Sequence, residues 1–576
     1  MLTPRSPGHR RPALAILALA GLLTTFVFAA AGRSPVAHAQ ARSAADYGVC
    51  PRNARLRSTE SAPPAQFSQV IHVPADQPSI QAAVNAAPPD ALILVAPGVY
   101  HEAVKVCSAD LTIRGADRNT TVLDGQSKLT NGFYVLADNV IIENMTAHHY
   151  VGNGFYWAYQ TGYRGSYLTA YDNGDYGIYS FGSRHGEFDH SYASGSPDSG
   201  FYIGQCFPCD AIITNVKSEW NGLGYSGTNA GGNLLIENSE WDRNSAGIVP
   251  NTLDSEQGAP ERGATLIGNY VHDNGNTKAP YTVWAHIPLG TGILVPGGDK
   301  NYIAHNRVVN NPDYGILVVG NIDRNFWIAS GNVVERNTVS GSGIADLALG
   351  APSGANNCFA DNQATTTLPP LLEVSHACGS PLALDGGGDF SITLRLFAND
   401  VNAGLTSPGP SFNPPDYRLA PAPPSQTAMP DVNAAPAPTL VDAYPAGVTS
   451  ANGFAPVTNT FTPGGSAMFL PLGFTGYSIV QILLSLYGNL LLFALYSAWL
   501  AVAFVELAHR EDLRAGRRLG WGIVTLGLPI VGPILYYFAS GSKLSPRFRL
   551  ALVVGAPALC LLVTVLLMVV ASYTLL

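Results

Sequence analysis

One pattern constrains this chain more than any other: a glycine followed by an apolar or aromatic pair returns about every 23 residues. It occurs at Gly132-Phe133-Tyr134, Gly154-Phe155-Tyr156, Gly177-Ile178-Tyr179, Gly200-Phe201-Tyr202, Gly224-Tyr225, Gly247-Ile248-Val249, Gly292-Ile293-Leu294 and Gly315-Ile316-Leu317. Successive spacings are 22, 23, 23, 24, 23, 45 and 23 residues, the doubled one holding a unit plus an insertion near 274–289. Within the units a second apolar run ends in asparagine, as in Ile141-Ile142-Glu143-Asn144, Ile212-Ile213-Thr214-Asn215, Leu235-Ile236-Glu237-Asn238 and Leu266-Ile267-Gly268-Asn269. Strand-length runs with turn residues at a fixed period indicate a solenoid. A leucine-rich repeat would need a Leu-x-x-Leu-x-Leu core and often a helical half, and these units have neither.

The expected fold is therefore all-β: a right-handed parallel β-helix over 70–380, its coils stacked at the strand spacing of roughly 4.8 Å. Its open first end needs a cap. Ile71-His72-Val73-Pro74 followed by Ser79-Ile80-Gln81-Ala82-Ala83-Val84 reads as a strand and a short amphipathic helix suited to that job. This order, continuing through Ile93-Leu94-Val95 and Leu111-Thr112-Ile113-Arg114-Gly115, resembles the start of pectin-lyase-like β-helix proteins, including pectin esterases and the periplasmic NosD-like family. The resemblance covers about 70–380 and implies fold more than activity. The Gly-x-x-Ala-Gln-Ala and Asp-Phe-Ile-Phe-Gly segments of pectin esterases do not occur. Ser196-Pro197-Asp198-Ser199 does not match the Asp-Pro-His-Glu of alginate epimerases, and no Asn-Thr-Asp with Arg-x-Lys is found as in polygalacturonases. No catalytic role carries over residue by residue.

Charge is segregated along the 576 residues. The formal net charge of −9 resolves into +5 over 1–43, −18 over 44–465 and +4 over 466–576. An acidic body argues against nucleic acid, which requires positive charge along phosphates. Arg5, Arg10 and Arg11 precede an uncharged run over 12–32 and a small-residue site at Ala37-His38-Ala39, a secretory signal over 1–39 with cleavage after Ala39, or an uncleaved anchor. A short extension over 40–69 leads to the repeat. Three uncharged runs at 469–505, 519–542 and 550–576 each exceed the roughly 20 residues that cross a bilayer, so 469–576 is expected to hold about three transmembrane helices. Arg510, Arg514, Arg517 and Arg518 mark the first loop as cytoplasmic. The body would then lie on the extracytoplasmic side of a cell membrane, with the bilayer as partner. Pro529, Gly532 and Pro533 leave the middle run open to being a broken or re-entrant helix. That run, Trp521 to Tyr537, also resembles the membrane hairpin of the phospholipase D nuclease N-terminal type, which implies a membrane module and no lipid chemistry. Residues 381–468, rich in Pro and Ala, read as an extended linker or stalk.

Six cysteines lie in the exported part, an even number that suggests disulfides in an oxidising compartment. Proximity pairs Cys206 with Cys209 and Cys358 with Cys378, leaving Cys50 with Cys107. A redox or metal role for Cys-Phe-Pro-Cys would need a thioredoxin-like context or a second ligand pair, and the sequence shows neither.

Stacking the coils turns single residues into columns. Asn144, Thr169, His190, Asn215, Asn238, Asn269 and His305 form an expected asparagine ladder. Four positions on, His148, Asn173, Ser194, Glu219, Asp242 and Asp273 align, bringing Glu219, Asp242 and Asp273 onto successive coils. Carboxylates so placed suit Ca2+ binding or acid–base work on a sugar, or are a solvated acidic turn. A second set is Asp175 and Asp198, with His185 and Asp189 nearby. Tyr134, Tyr156, Tyr179 and Tyr202 should face outward, because the residue before each faces the core. They form either a stacking platform for sugar, which Trp157, Tyr159 and Tyr163 would extend, or a self-stabilising aromatic ladder. The reading that follows is a membrane-tethered β-helix binding polysaccharide. A polysaccharide lyase or hydrolase and a structural or adhesive scaffold are the alternatives.

Overall fold

The structure, a computed structural model, describes residues 50–51, 54–58, 66–282, 288–379, 387–406, 420–435, 500–510, 512–527, 531–542, 544–545 and 549–555. The signal run at 1–39, nearly all of the 469–505 and 550–576 runs and much of the linker lie outside them.

Three sheets of 12, 11 and 10 strands run the length of a solenoid. One coil shows the order: Val140–Glu143 in the 12-stranded sheet, Thr146–His148 in the 10-stranded sheet and Phe155–Ala158 in the 11-stranded sheet. Thr161–Ser166 then returns to the first, and each strand pairs in parallel with its counterparts one coil away. This is a parallel β-helix.

The repeat glycine has a steric cause. A Cβ at Gly132, Gly154, Gly177, Gly224, Gly247 or Gly292 would lie within 2.8 Å of the carbonyl oxygen of the next coil's glycine. Only a residue without a side chain allows that approach. The residue after each glycine points inward, and Phe133, Phe155, Ile178, Phe201, Tyr225, Ile248, Ile293 and Ile316 align as one fully buried column.

The asparagine ladder is displaced from its expected column. Asn144, His190, Asn215, Asn238 and His305 occupy the left-handed backbone region at the corner between the 12- and 10-stranded sheets, with φ of 57°, 44°, 53°, 48° and 55°. Asn is well suited to that conformation. Thr169 opens a strand, and of the expected set only Asn269 is a rung. Its Oδ1 and Nδ2 belong to a run continued by Asn306, Asn337 and Asn362, in which each backbone N–H donates to the next side-chain oxygen at 2.9–3.0 Å. Two further ladders, Asn221–Asn244–Asn274–Asn311 and Asn301–Asn332–Asn357, occupy the other corners.

The first coil is closed by the helix Ile80–Ala86. Ser79 Oγ caps it by accepting from Ala82 N at 3.1 Å, and both oxygens of Glu102 accept from Ile80 N and Gln81 N. Disulfides join Cys50–Cys107, Cys206–Cys209 and Cys358–Cys378, the pairing that proximity suggests.

Two pieces of the expected linker depart from an extended stalk. Helix Phe390–Thr406 buries Ile392 in an apolar cluster with Leu294, Leu317 and Val319 on the 11-stranded sheet. Residues 426–434 lie along the solenoid: Arg114 Nη1 donates to Val432 O and Ala434 O, Arg118 Nη1 to Thr427 O, and Met429 N to Asn144 Oδ1. The side chain of Arg114, ion-paired with Glu143 at 2.7 Å, is thereby fully buried. At the C-terminal end the middle apolar run forms two helices, Ala515–Gly527 and Val531–Ala539. Among the described residues no helix is long and apolar enough to cross a membrane.

Removing one partner of a buried ion pair strands the other, so Arg114→Ala should lower stability by about 3 kcal/mol in denaturant unfolding. Arg57→Ala, which breaks the surface pair to Asp138, should cost under about 1 kcal/mol.

Candidate functional site

The outer face of the 11-stranded sheet carries the tyrosine column. Tyr134, Tyr156, Tyr179 and Tyr202 are register partners on four successive coils. Trp157 and Tyr163 do not extend it. Both are buried in the main core against Phe188. The same alternation that turns Tyr156 outward turns Trp157 inward. Tyr159 stays outside, half exposed and edge-on to Phe181.

The column is both floor and ladder. Tyr134 stacks on Tyr156 at 4.9 Å and Tyr156 on Tyr179 at 4.5 Å, while Tyr202 meets Tyr179 edge-on at 4.8 Å. Tyr176, three residues earlier on the same strand, stacks on Tyr179 at 4.2 Å. Ring faces are thus largely engaged with one another; Tyr156 and Tyr202 are buried, and Tyr134, Tyr176 and Tyr179 are the partly exposed rings of the floor. Burial holds the hydroxyls of Tyr176, Tyr179 and Tyr202 protonated, far above the ordinary phenol value, with nearby tyrosines and carboxylates adding to the shift.

Carboxylates border this floor. Asp175 and Asp198 precede register partners Tyr176 and Ser199 on adjacent coils, and Asp198 N donates to Asp175 O at 3.1 Å. Burial pushes the Asp198 carboxyl well above the carboxylate range. The charge of Asp175 adds to the shift, Tyr176 opposes it by hydrogen bonding, and Glu256 raises it further. Glu256, on the insertion between Asn251 and Arg262, is also raised, first by burial; it accepts from Gln205 Nε2. The second insertion approaches from the same turn, where Thr282 N donates to Pro197 O at 2.7 Å. His185 and Asp189 are not part of this border: His185 pairs with Asp210 at 3.2 Å, and Asp189 is buried with Arg164 on the 12-stranded sheet.

Glu219 and Asp242 lie elsewhere, on the 10-stranded sheet, and are register partners. The column differs from expectation at two rungs. Tyr171 stands where Asn173 was expected, because Asn173 turns inward to accept from Tyr150 N. His272 stands where Asp273 was expected, and Asp273 begins the turn with φ 52°. The protein supplies the counter-ions itself. Lys217 Nζ lies 3.6 Å from Glu219, 2.6 Å from Glu240 and 3.3 Å from Asp242, and Arg243 pairs with both Glu219 and Asp242. Tyr192 OH donates to Glu219 at 2.6 Å. Two fixed cations between the carboxylates leave little electrostatic need for Ca2+.

A family described as right handed beta helix region matches residues 153–326. With the parallel sheets, this supports a right-handed β-helix. Among solved structures, the mannuronan C-5 epimerase A-module of Azotobacter vinelandii is 17% identical with TM-score 0.37, over 49% of this chain and 89% of that one. The alginate lyase of Paenibacillus sp. str. FPU-7 is 15% identical with TM-score 0.33, over 52% and 99%. A DFA-IIIase from Arthrobacter chlorophenolicus A6 is 12% identical with TM-score 0.36, over 51% and 93%. No curated protein matches.

A carboxyl held protonated by burial binds a proton in the folded state that the unfolded chain releases near pH 4. The contribution of Asp198 to stability should therefore fall as pH rises above about 4 until it ionises. Asp198→Asn should remove that component, so that the difference in unfolding free energy between parent and variant changes between about pH 4 and 8 in denaturant unfolding.

Proposed function

We propose that the tyrosine face of the 11-stranded sheet is the site of a carbohydrate-active enzyme that cleaves glycosidic bonds by hydrolysis. The observation that carries this is the pair Asp175 and Asp198 on adjacent coils beside four tyrosines. Asp198, kept protonated, is the general acid that gives its proton to the leaving glycosidic oxygen. Asp175 is the partner carboxylate. Coils stack at roughly 4.8 Å, close to the short separation of carboxylates in retaining glycosidases, so Asp175 attacks the anomeric carbon and water then releases the sugar. The partly exposed Tyr134 and Tyr179 contact the sugar along this face. An acidic body favours a neutral glycan, since a polyuronate would meet repulsion from −18 charges over 44–465. Formed disulfides and basic-flanked apolar runs support an extracytoplasmic body tethered to a membrane.

Incubation with a panel of neutral and acidic polysaccharides tests this reading. Reducing ends should appear with neutral glycans, and Asp198→Asn should lower their release by about 100-fold or more while binding persists. Tyr179→Ala should weaken binding about tenfold. Absorbance at 235 nm with polyuronates would show a lyase instead, and binding without any product would show a binding module.

A further inference from the structure

A second cluster lies on the 10-stranded sheet, near its first coils and apart from the tyrosine face. Asp124 ends the strand Thr121–Asp124, and its register partner His148 ends Thr146–His148. His149 follows in the left-handed region with φ 55°, which lays its ring beside that of His148, centroids 4.4 Å apart. The two Nδ1 atoms are 2.8 Å apart, and they lie 3.8 and 3.7 Å from Asp124 Oδ1. A point in the plane of these three atoms is about 2.0 Å from each, the length of a zinc–nitrogen or zinc–oxygen bond.

The surroundings suit a metal ligand set. Asp172 Oδ2 stands 3.9 Å from His149 Nε2, and His101 Nδ1 is 3.7 Å from Asp124 Oδ2. A carboxylate behind an imidazole fixes ligand orientation in metal sites. Tyr171 stacks on His148 at 4.5 Å with rings 13° from parallel, fixing that ring further. Gln126 N donates to Asp124 Oδ1 at 2.9 Å, which anchors the carboxylate while leaving its second lone pair. His149 and His101 are partly exposed, so an ion can enter. The comparable trio Glu240, Asp242 and His272 already holds the ammonium of Lys217. Among the described residues, the ion pairs of Asp124 are all with histidines.

We propose that Asp124, His148 and His149 bind a divalent first-row transition ion of the zinc class. Two imidazoles and one carboxylate favour such an ion over Ca2+, which takes oxygen ligands. This inference does not depend on the hydrolase reading.

The test uses the purified full-length chain without a polyhistidine tag, stripped of metal, titrated with Zn2+ by calorimetry and with Co2+ by visible absorption. One equivalent should bind, and Co2+ should develop the intense visible bands of low-coordinate cobalt. His148→Ala and His149→Ala should each weaken binding by about 100-fold or more, with far-UV circular dichroism confirming that they fold. His272→Ala should bind as the parent does. Absence of Zn2+ binding by the parent would overturn the proposal, as would parent-like binding in both the His148 and His149 variants. Loss confined to His272→Ala would also overturn it. Glycan hydrolysis is not among the readouts, so this result and the enzyme reading fail separately.

Discussion

Everything in this molecule depends on one coil's strands hydrogen-bonding in register with those of the next. That register requires backbones to close to a single strand spacing at every turn of the solenoid, which only glycine permits at the head of the 11-stranded sheet. It also requires each corner to dispose of its buried amides, and asparagine ladders do so by bonding to their own kind one coil away. Once register is set, any residue type repeated at the period becomes a physical column. The columns then decide what the surface can do.

Two columns carry ionisable groups in different surroundings. On the 10-stranded sheet, Glu219 and Asp242 are brought together as their spacing implies, but Lys217 and Arg243 lie within the same stack and neutralise them. On the turn into the 11-stranded sheet, Asp175 and Asp198 stack beside buried phenols. There desolvation and mutual repulsion act together, and Asp198 holds its proton. The same like-charge geometry gives a salt-bridge network in one place, where Lys217 opposes the upward push of burial on Asp242, and an uncompensated buried acid in the other. The difference lies in what surrounds it.

The fold was legible because its signal is periodic and long. The glycine spacing implied the coil, the alternation after each glycine implied which side of the strand faced inward, and cysteine proximity implied the disulfides. Single-residue offsets were not legible. The ladder lies one position beyond Asn144 and Asn238 because the corner takes two residues, the first in the left-handed region. For the same reason Asn269 aligns with Ser239 rather than Asn238, so His272, not Asp273, meets Asp242. Trp157 could have been placed by the alternation already applied to Tyr156. Glu256 carried no sequence signal, because its insertion folds back onto a face that no local pattern foretells. The linker's return to the solenoid rests on Arg114 and Arg118, buried arginines whose partners are backbone carbonyls some 300 residues away in sequence.

Saccharide chemistry is proposed for the tyrosine face beside Asp175 and Asp198. The most direct measurement is a crystal structure of the Asp198→Asn variant soaked with an oligosaccharide that the parent hydrolyses. Density along Tyr134, Tyr156 and Tyr179, with a glycosidic oxygen beside residue 198, is the predicted result. An oligosaccharide bound instead over Glu219 and Asp242, with the tyrosine face empty, would contradict that placement.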